Sequence, residues 1–470
     1  MAGIGFRLQK LLAGEDYTSS VKAFGFSTLI TAGPFLLTVL LVVFVQNLSY
    51  DNLTDRGLAY LQSLITYGYA FSLLTVGPSY LVLTRYVADE YYRGHVTSFV
   101  ASFFSAYAIN LLVWSPFVLW FFSGLSVDWG MKLNAFLLYA LAVGMWLAMI
   151  FLSAAQNYWL VSRAFLLGAA VSLPAAFALG RVQGLAGYFT GFVAGQAVVL
   201  ITLVGAMLKE FGYWEPRDHN WISYFRLYPR LAGIGFFYNL GIWIDKFQFW
   251  ASSEGEWLDP RLRYAPIYDT PMFIAYMTIL PALVYFFLLV ETDFFEKYHD
   301  YFVSVQRQEG LSALERRRVA IVESLRFSLK RVATVQGIVT LIAILVAPWI
   351  VIVFRMDPMH LSVLRLGMYS AFIQAGAVIL MNILLYFDHQ WEALLISATF
   401  CVVNAVATEI TLRAGLLAYG YGYGIASLVS LAMALYFANE RLRLLHYWTF
   451  VRQPMHEAVA QSPDVDEELA

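Results

Sequence analysis

Residues 133–155 read LNAFLLYALAVGMWLAMIFLSAA, twenty-three consecutive positions without a charged side chain. A helix needs roughly 20 apolar residues to cross the hydrocarbon layer, where every backbone N–H and C=O must be bonded within a closed structure. This run meets both conditions. Outward from it, similar runs lie near 24–47, 61–83 and 96–122 on one side and 160–179 and 185–208 on the other. A second set of six lies near 231–251, 271–290, 332–354, 362–386, 391–412 and 416–437. The composition agrees: 60% of the 470 residues are hydrophobic and only 13% are charged, too few to coat a soluble fold. The expected fold is an all-α integral membrane protein with about twelve transmembrane helices.

Loop charge sets the expected orientation. With the N-terminus in the cytoplasm, 21 of the 30 Lys and Arg residues fall on cytoplasmic segments and 8 on external ones, with Lys246 inside a span. That bias follows the positive-inside rule, and an even number of spans returns the C-terminus to the cytoplasm. The polar stretch 209–230 divides the spans six and six. This predicts an N-terminal lobe over 1–225, a C-terminal lobe over 226–450, a central cavity between them and an acidic tail at 451–470.

One segment outside the membrane, 291–331, is long enough for structure of its own. Phe294, Phe295, Tyr298, Tyr301, Phe302 and Val305 share a helical face, and Gly310 is a plausible stop. Ser312 and Glu315 form a capping-box pattern opening a second arm that exposes Arg316, Arg317 and Arg318. A cytoplasmic helical hairpin is expected, lying along anionic lipid or against a partner protein.

The chemistry of an enzyme is missing from the pattern. Cys401 is the only cysteine, so neither an internal disulfide nor a cysteine metal cluster is expected. The seven histidines lack metal-ligand spacing, and no phosphate-binding P-loop pattern occurs. No loop is large enough for a catalytic domain. The sequence reads as a conduit without metal or cofactor, and a net charge of −2 gives no reason to expect nucleic acid.

Polar groups inside the spans are the candidate pathway. Asp245 and Lys246 lie in GIWIDKFQFW of the seventh span, where a charge costs at least ~2.5–3.5 kcal/mol and faces a bundle interior or water. Adjacent residues point about 100° apart on a helix, so the two are not expected simply to neutralise each other. Asp245 reads as cavity-lining, with a structural ion pair to another span as the alternative. Trp243 and Asn239 share the stretch, and Gln196, Gln336, Gln374, Asn382 and Asn404 add amides in other spans. These would form interhelical hydrogen bonds or, together, a hydrophilic lining. Glu409 precedes Arg413 by one turn, which suits a local pair, and is a further pathway candidate. Gly33-Pro34 and Gly77-Pro78 are hinge candidates, because proline removes a backbone donor and glycine relaxes the turn. Gly187, Gly191 and Gly195 form a small-residue stripe suited to close helix packing. Tyr419–Gly424, YGYGYG, is expected to be a loosened start of the last span with tyrosines near the interface.

The opening MAGIGFRLQKLL, the Ala32-Gly33-Pro34 step and NLGIWIDKFQFW at Asn239–Trp250 resemble the Pel exopolysaccharide transporter family, PelG. The resemblance covers essentially the whole chain. It implies the polysaccharide-transporter branch of the multidrug/oligosaccharidyl-lipid/polysaccharide flippase superfamily, whose two six-helix lobes alternate access to a central cavity. It further implies export of an N-acetylgalactosamine-rich polymer across the bacterial inner membrane, beside a Pel glycosyltransferase and the membrane proteins PelD and PelE. No residue-level site comes with it. Two other readings remain open: a lipid-linked oligosaccharide flippase or cation-coupled drug exporter, and, from another class, an integral membrane glycosyltransferase or acyltransferase.

Overall fold

The computed structural model describes residues 33–50, 52–155, 158–212, 220–289, 293–354 and 356–451, together with Gly25. Six helices build the first lobe: α1 (Gly33–Tyr50), α2 (Asp55–Tyr92), α3 (Phe99–Ser123), α4 (Trp129–Ala154), α5 (Tyr158–Gln183) and α6 (Leu185–Phe211). Thr54 and Asp128 start α2 and α4 by accepting from the Gly57 and Met131 amides, each at 3.2 Å. A short α7 (Ser223–Leu227) leads into α8 (Pro229–Ala251), followed by a two-stranded hairpin, β1 (Glu256–Asp259) and β2 (Leu262–Tyr264). The second lobe continues with α9 (Pro266–Met277), α10 (Leu280–Leu289), α11 (Phe295–Gln306), α12 (Leu311–Val353), α13 (His360–Tyr386), α14 (Gln390–Ala414), α15 (Tyr421–Arg443) and α16 (Leu445–Phe450).

Among the described residues ten helical stretches are long and apolar enough to cross a membrane, α9 and α10 counting as one. Two more, α2 and α8, are long enough but too polar to be among them. These two are the centre of the molecule. α2 packs on α4 in its own lobe and on α8 across the divide, while α8 packs on α14 behind it. Protein rather than lipid surrounds them, so they tolerate polar groups that a lipid-facing span excludes. With them, the multi-pass chain forms two six-helix lobes meeting along an α2–α8 seam.

Glycine sets how closely the lobes approach. A methyl group on Gly77 would sit 2.8 Å from the Gly235 carbonyl oxygen, and one on Gly235 would collide with the Gly77 carbonyl oxygen. Within the first lobe the Gly187, Gly191 and Gly195 stripe presses α6 onto α5 at similarly close range.

Proline acts where it was not foremost in the pattern. α2 stays helical through Gly77-Pro78, as do α3 and α5 through Pro116 and Pro174, so none of these spans is broken. Pro34 stands at the start of the described part of α1; residues 26–32 lie outside the described ones. The break falls in the eighth span, between α9 and α10, where Pro281 has no N–H to give the Met277 carbonyl. Gln336 of α12 bridges this gap: its amide donates to the Thr278 carbonyl at 2.6 Å and accepts from the Ala282 amide at 3.0 Å.

Segment 291–331 is not a free-standing hairpin. Gln308 turns the chain with φ of +54°, and Gly310 is the N-cap of α12 rather than the stop of α11. α12 then runs 43 residues without interruption into the ninth span. Ser312 and Glu315 make no capping box. Glu315 instead pairs with Arg318 at 2.6 Å and His446 at 2.8 Å, tying α16 to the base of α12. Arg318 first, and His446 second, hold the Glu315 carboxyl down at about 2. The acidic tail from residue 452 lies outside the described residues.

Candidate functional site

A cavity of about 510 Å³ lies between α2 and α3 of one lobe and α8 of the other. Its walls are aromatic: Tyr67, Phe71, Trp114, Phe117 and Phe121 face Phe236, Phe247 and Trp250. Leu74, Thr75, Leu240 and Ala251 fill the remaining wall, and Arg261 and Arg263 stand at the hairpin end. Among the described residues that line it, none is a carboxylate. Tyr67 stacks on Trp250 at 4.4 Å and on Phe121 at 5.3 Å, so the wall is continuous across the seam.

The β-hairpin closes one end of the cavity by bonding to the opposite lobe. Both carboxylate oxygens of Asp259 accept from the Ser126 amide, at 3.0 and 2.9 Å, and one also accepts from the Tyr60 hydroxyl at 3.1 Å. Arg56 donates to the Leu258 carbonyl at 3.1 Å, and Tyr67 to the Arg263 carbonyl at 2.9 Å. Arg261 donates to the Trp120 carbonyl and lies 4.2 Å from the Trp120 ring. Gly124 leaves room for it, since a methyl group there would strike the guanidinium.

Behind the Trp250 wall lies a buried charge cluster. Lys246 bonds Asp245 at 2.9 and 3.0 Å, the Ile242 carbonyl at 2.8 Å and the Tyr276 hydroxyl at 2.6 Å. Tyr268 donates to Asp245 at 2.7 Å. The ammonium also lies 4.5 Å from the Tyr276 ring and 5.7 Å from the Tyr423 ring. Asp269 accepts from the Trp250 indole at 2.8 Å and the Ala265 amide at 2.9 Å, linking the cluster to the cavity wall. Asp245 is fully buried and Lys246 nearly so.

The expectation that adjacent Asp245 and Lys246 would not neutralise each other is therefore wrong. The Cα–Cβ bonds diverge, but the four-carbon lysine stem folds back far enough for its ammonium to reach the neighbouring carboxylate. The pair sits inside the second lobe and does not line the cavity. Glu409 forms a pair with Arg413 at 2.8 Å on the exposed side of α14, opposite the face packed on α8 and α15. That outward position takes it off the seam.

Other candidates divide by place. Asn239 stands at the α2–α8 crossing, donating to the Gly235 carbonyl at 2.8 Å, and is the candidate nearest Gly77. Trp243 packs 6.3 Å from Trp250, and its buried indole N–H has no partner among the described residues. Gln196 accepts from Tyr69 at 3.1 Å inside the first lobe, and Asn404 donates to the Gly241 carbonyl at 2.9 Å inside the second. On α13, Gln374 is buried and Asn382 half-buried. Gln336 is spent on the break in the eighth span.

Sequence reading missed the hairpin, Asp269 and the inward tyrosines. Asp269 fell just ahead of the expected eighth span. Tyr423, the last tyrosine of YGYGYG, is buried in the second lobe, not at an interface, and only Tyr421 is exposed. Gly422 and Gly424 bring α15 against Thr408 and Ser370, so the glycines serve packing, while Gly420 at φ +91° starts the helix.

Compared with known families, residues 1–450 match PelG, an exopolysaccharide exporter family (EPS-E). The chain belongs to the PelG family. This family consists of exporters, not enzymes, which fits the conduit built here. PelG-like in sequence, the chain shares its fold with MATE transporters. One, a multidrug resistance MATE family transporter of the MOP superfamily in an outward-facing conformation, is 13% identical with a TM-score of 0.62, covering 93% of this chain and 98% of that one. A MOP superfamily transporter from Pyrococcus furiosus, described as having a binding pocket of reverse polarity, is 13% identical with a TM-score of 0.59 over the same shares. An inward-facing MATE structure is 12% identical with a TM-score of 0.59, covering 88% of this chain and 99% of that one. No curated protein matches the chain.

Proposed function

We propose that this chain exports a Pel-type, N-acetylgalactosamine-rich polysaccharide across the bacterial inner membrane through the seam cavity. Both termini would lie in the cytoplasm and the β-hairpin outside, the orientation favoured by the 21-to-8 distribution of Lys and Arg. The observation that carries the reading is the cavity lining: eight aromatic rings, two arginines and no carboxylate among the described residues. Flat aromatic faces stack on the C–H faces of pyranose rings, while guanidinium and phenol groups bond hydroxyl and acetamido oxygens. A cationic drug would meet two positive charges and no counter-ion, so the lining disfavours a drug exporter. The volume lies within the ~300–1,000 Å³ of small-ligand sites, so a polymer would pass a short stretch at a time.

The close Gly77–Gly235 crossing would be the pivot on which the lobes rock, with Asn239 beside it. Delivery of polymer to the opposite end would fall to a Pel glycosyltransferase with PelD and PelE. The test uses protein in lipid nanodiscs, titrated with N-acetylgalactosamine oligomers while tryptophan emission is followed. Saturable quenching that weakens in Trp250→Phe supports the reading. Quenching by a cationic dye alone would favour the drug exporter, and response only to a lipid-linked oligosaccharide would favour the flippase.

A further inference from the structure

We infer that the β1–β2 hairpin is the exit latch of the cavity, with Asp259 as its bolt. The inference rests on the orientation and cavity proposed above, and it assigns a role to a loop that hydropathy passes over. The hairpin belongs to the second lobe by connection, yet its polar partners lie in the first. Asp259 takes three hydrogen bonds from Ser126 and Tyr60, and it is 8% exposed despite its place on a connecting loop. A carboxylate is withdrawn from water only where donors replace the water it loses. Both donors, Ser126 and Tyr60, belong to the other lobe, so separating the lobes at this end must strip Asp259 of those partners together.

The register strengthens the point. β1 and β2 pair Glu256 with Tyr264 and Asp259 with Leu262, with an irregularity between Trp257 and Asp259. Such an irregularity re-aims the strand at its tip. The tip bears Asp259 and Arg261, the two side chains that cross to the first lobe. Arg263, one strand further in, lines the cavity and is braced by the Ser252 and Gly255 carbonyls of its own lobe at 2.8 and 2.9 Å. The bolt and the cavity wall are thus parts of one rigid strip.

Two measurements in a Cys401→Ser background test this, the first without reference to any substrate. A reporter Leu74→Cys on the cavity wall is labelled with a membrane-impermeant maleimide in right-side-out and inverted vesicles. Asp259→Ala should raise the labelling rate from the outer face about tenfold, the scale of a lost hydrogen bond to a charged group. Tyr60→Phe, which removes one donor and keeps the carboxylate, should raise it less and guards against misfolding of the stronger variant. In the second, Ser126→Cys with Asp259→Cys is oxidised to lock the hairpin down. Polymer secretion should stop and return on reduction. Unchanged labelling in both single variants, or failure of the pair to cross-link, would overturn the latch. A response in labelling with no secretion phenotype would retain the latch and count against polysaccharide as the cargo.

Discussion

At the hairpin end of the seam, Asp259, Arg261, Leu258 and Arg263 are held by backbone and side-chain partners in the first lobe. At the other end Arg85 and Asp388 stand 4.0 Å apart, with side chains 40% and 60% exposed. Arg85 also pairs with Asp89 on its own helix at 3.2 Å, so it is shared between that helix and the other lobe, where it lies 5.2 Å from the Tyr228 ring. A buried carboxylate bonded to a backbone amide must lose directional partners to open, whereas an exposed ion pair exchanges its partner for water at little cost. The seam is therefore latched at one end and only touching at the other. In the orientation proposed, an exporter held this way would accept cargo from the loose end and release it at the latched one.

The largest effect is expected where the latched end is backed by buried charge. Asp245→Ala leaves the Lys246 ammonium without its carboxylate, and removing one partner of a buried pair costs about 3–5 kcal/mol. Thermal unfolding in detergent should show a large loss, and abundance should fall with secretion. Recovery of stability on adding Lys246→Met would show that the pair serves structure; no recovery would give the ammonium a role of its own. Gly235→Ala comes next. Its methyl meets the Gly77 carbonyl, and overpacking of this kind costs about 1–3 kcal/mol. Secretion should fall more than abundance if the crossing is a pivot, and in step with it if the crossing is only packing.

Smaller effects are expected at the loose end. Arg85→Ala removes an exposed contact worth about 0–1 kcal/mol and should leave unfolding temperature nearly unchanged. A stability loss as large as that of Asp245→Ala would erase the contrast between the ends. Smallest is the pH response of the α16 tether. Glu315, held at about 2 against an ordinary 4.5, contributes above pH 4.5 and loses that contribution as pH falls through 2. The labelling rate of Thr449→Cys, corrected for the thiolate fraction of a free cysteine at each pH, should therefore stay constant from pH 7 to 5. A rise within that range would contradict the Glu315 assignment.

Why some of this was legible in the sequence is physical. Hydropathy finds helices that touch lipid, and it located the spans because most of them do. It is weakest for α2 and α8, which are wrapped by protein and carry Tyr67, Asn239, Asp245 and Lys246. The signal that marks them is the polarity itself, and the intramembrane Asp-Lys step lies on α8, which also supplies one wall of the cavity. Side-chain direction was not legible. A helical wheel separates Asp245 from Lys246, and only the flexible lysine stem reunites them. Nor could one sequence show that residues 256–264 pair as strands, because a seven-position contact across an Asp-Pro turn leaves no long apolar trace. The resemblance through NLGIWIDKFQFW pointed to the family that the match over residues 1–450 bears out. A central cavity was expected, but its lining was not legible, since the aromatic walls are drawn from α2 and α3 of the first lobe and from α8, far along the chain.

The direct test is the location of polymer in cells of the native host that lack this chain but keep the synthase. With the parental chain restored, polymer should be recovered outside the inner membrane. With the chain absent, or carrying the oxidised Ser126→Cys/Asp259→Cys lock, polymer should be trapped inside or its synthesis should stall. Normal amounts of external polymer without the chain would contradict the account.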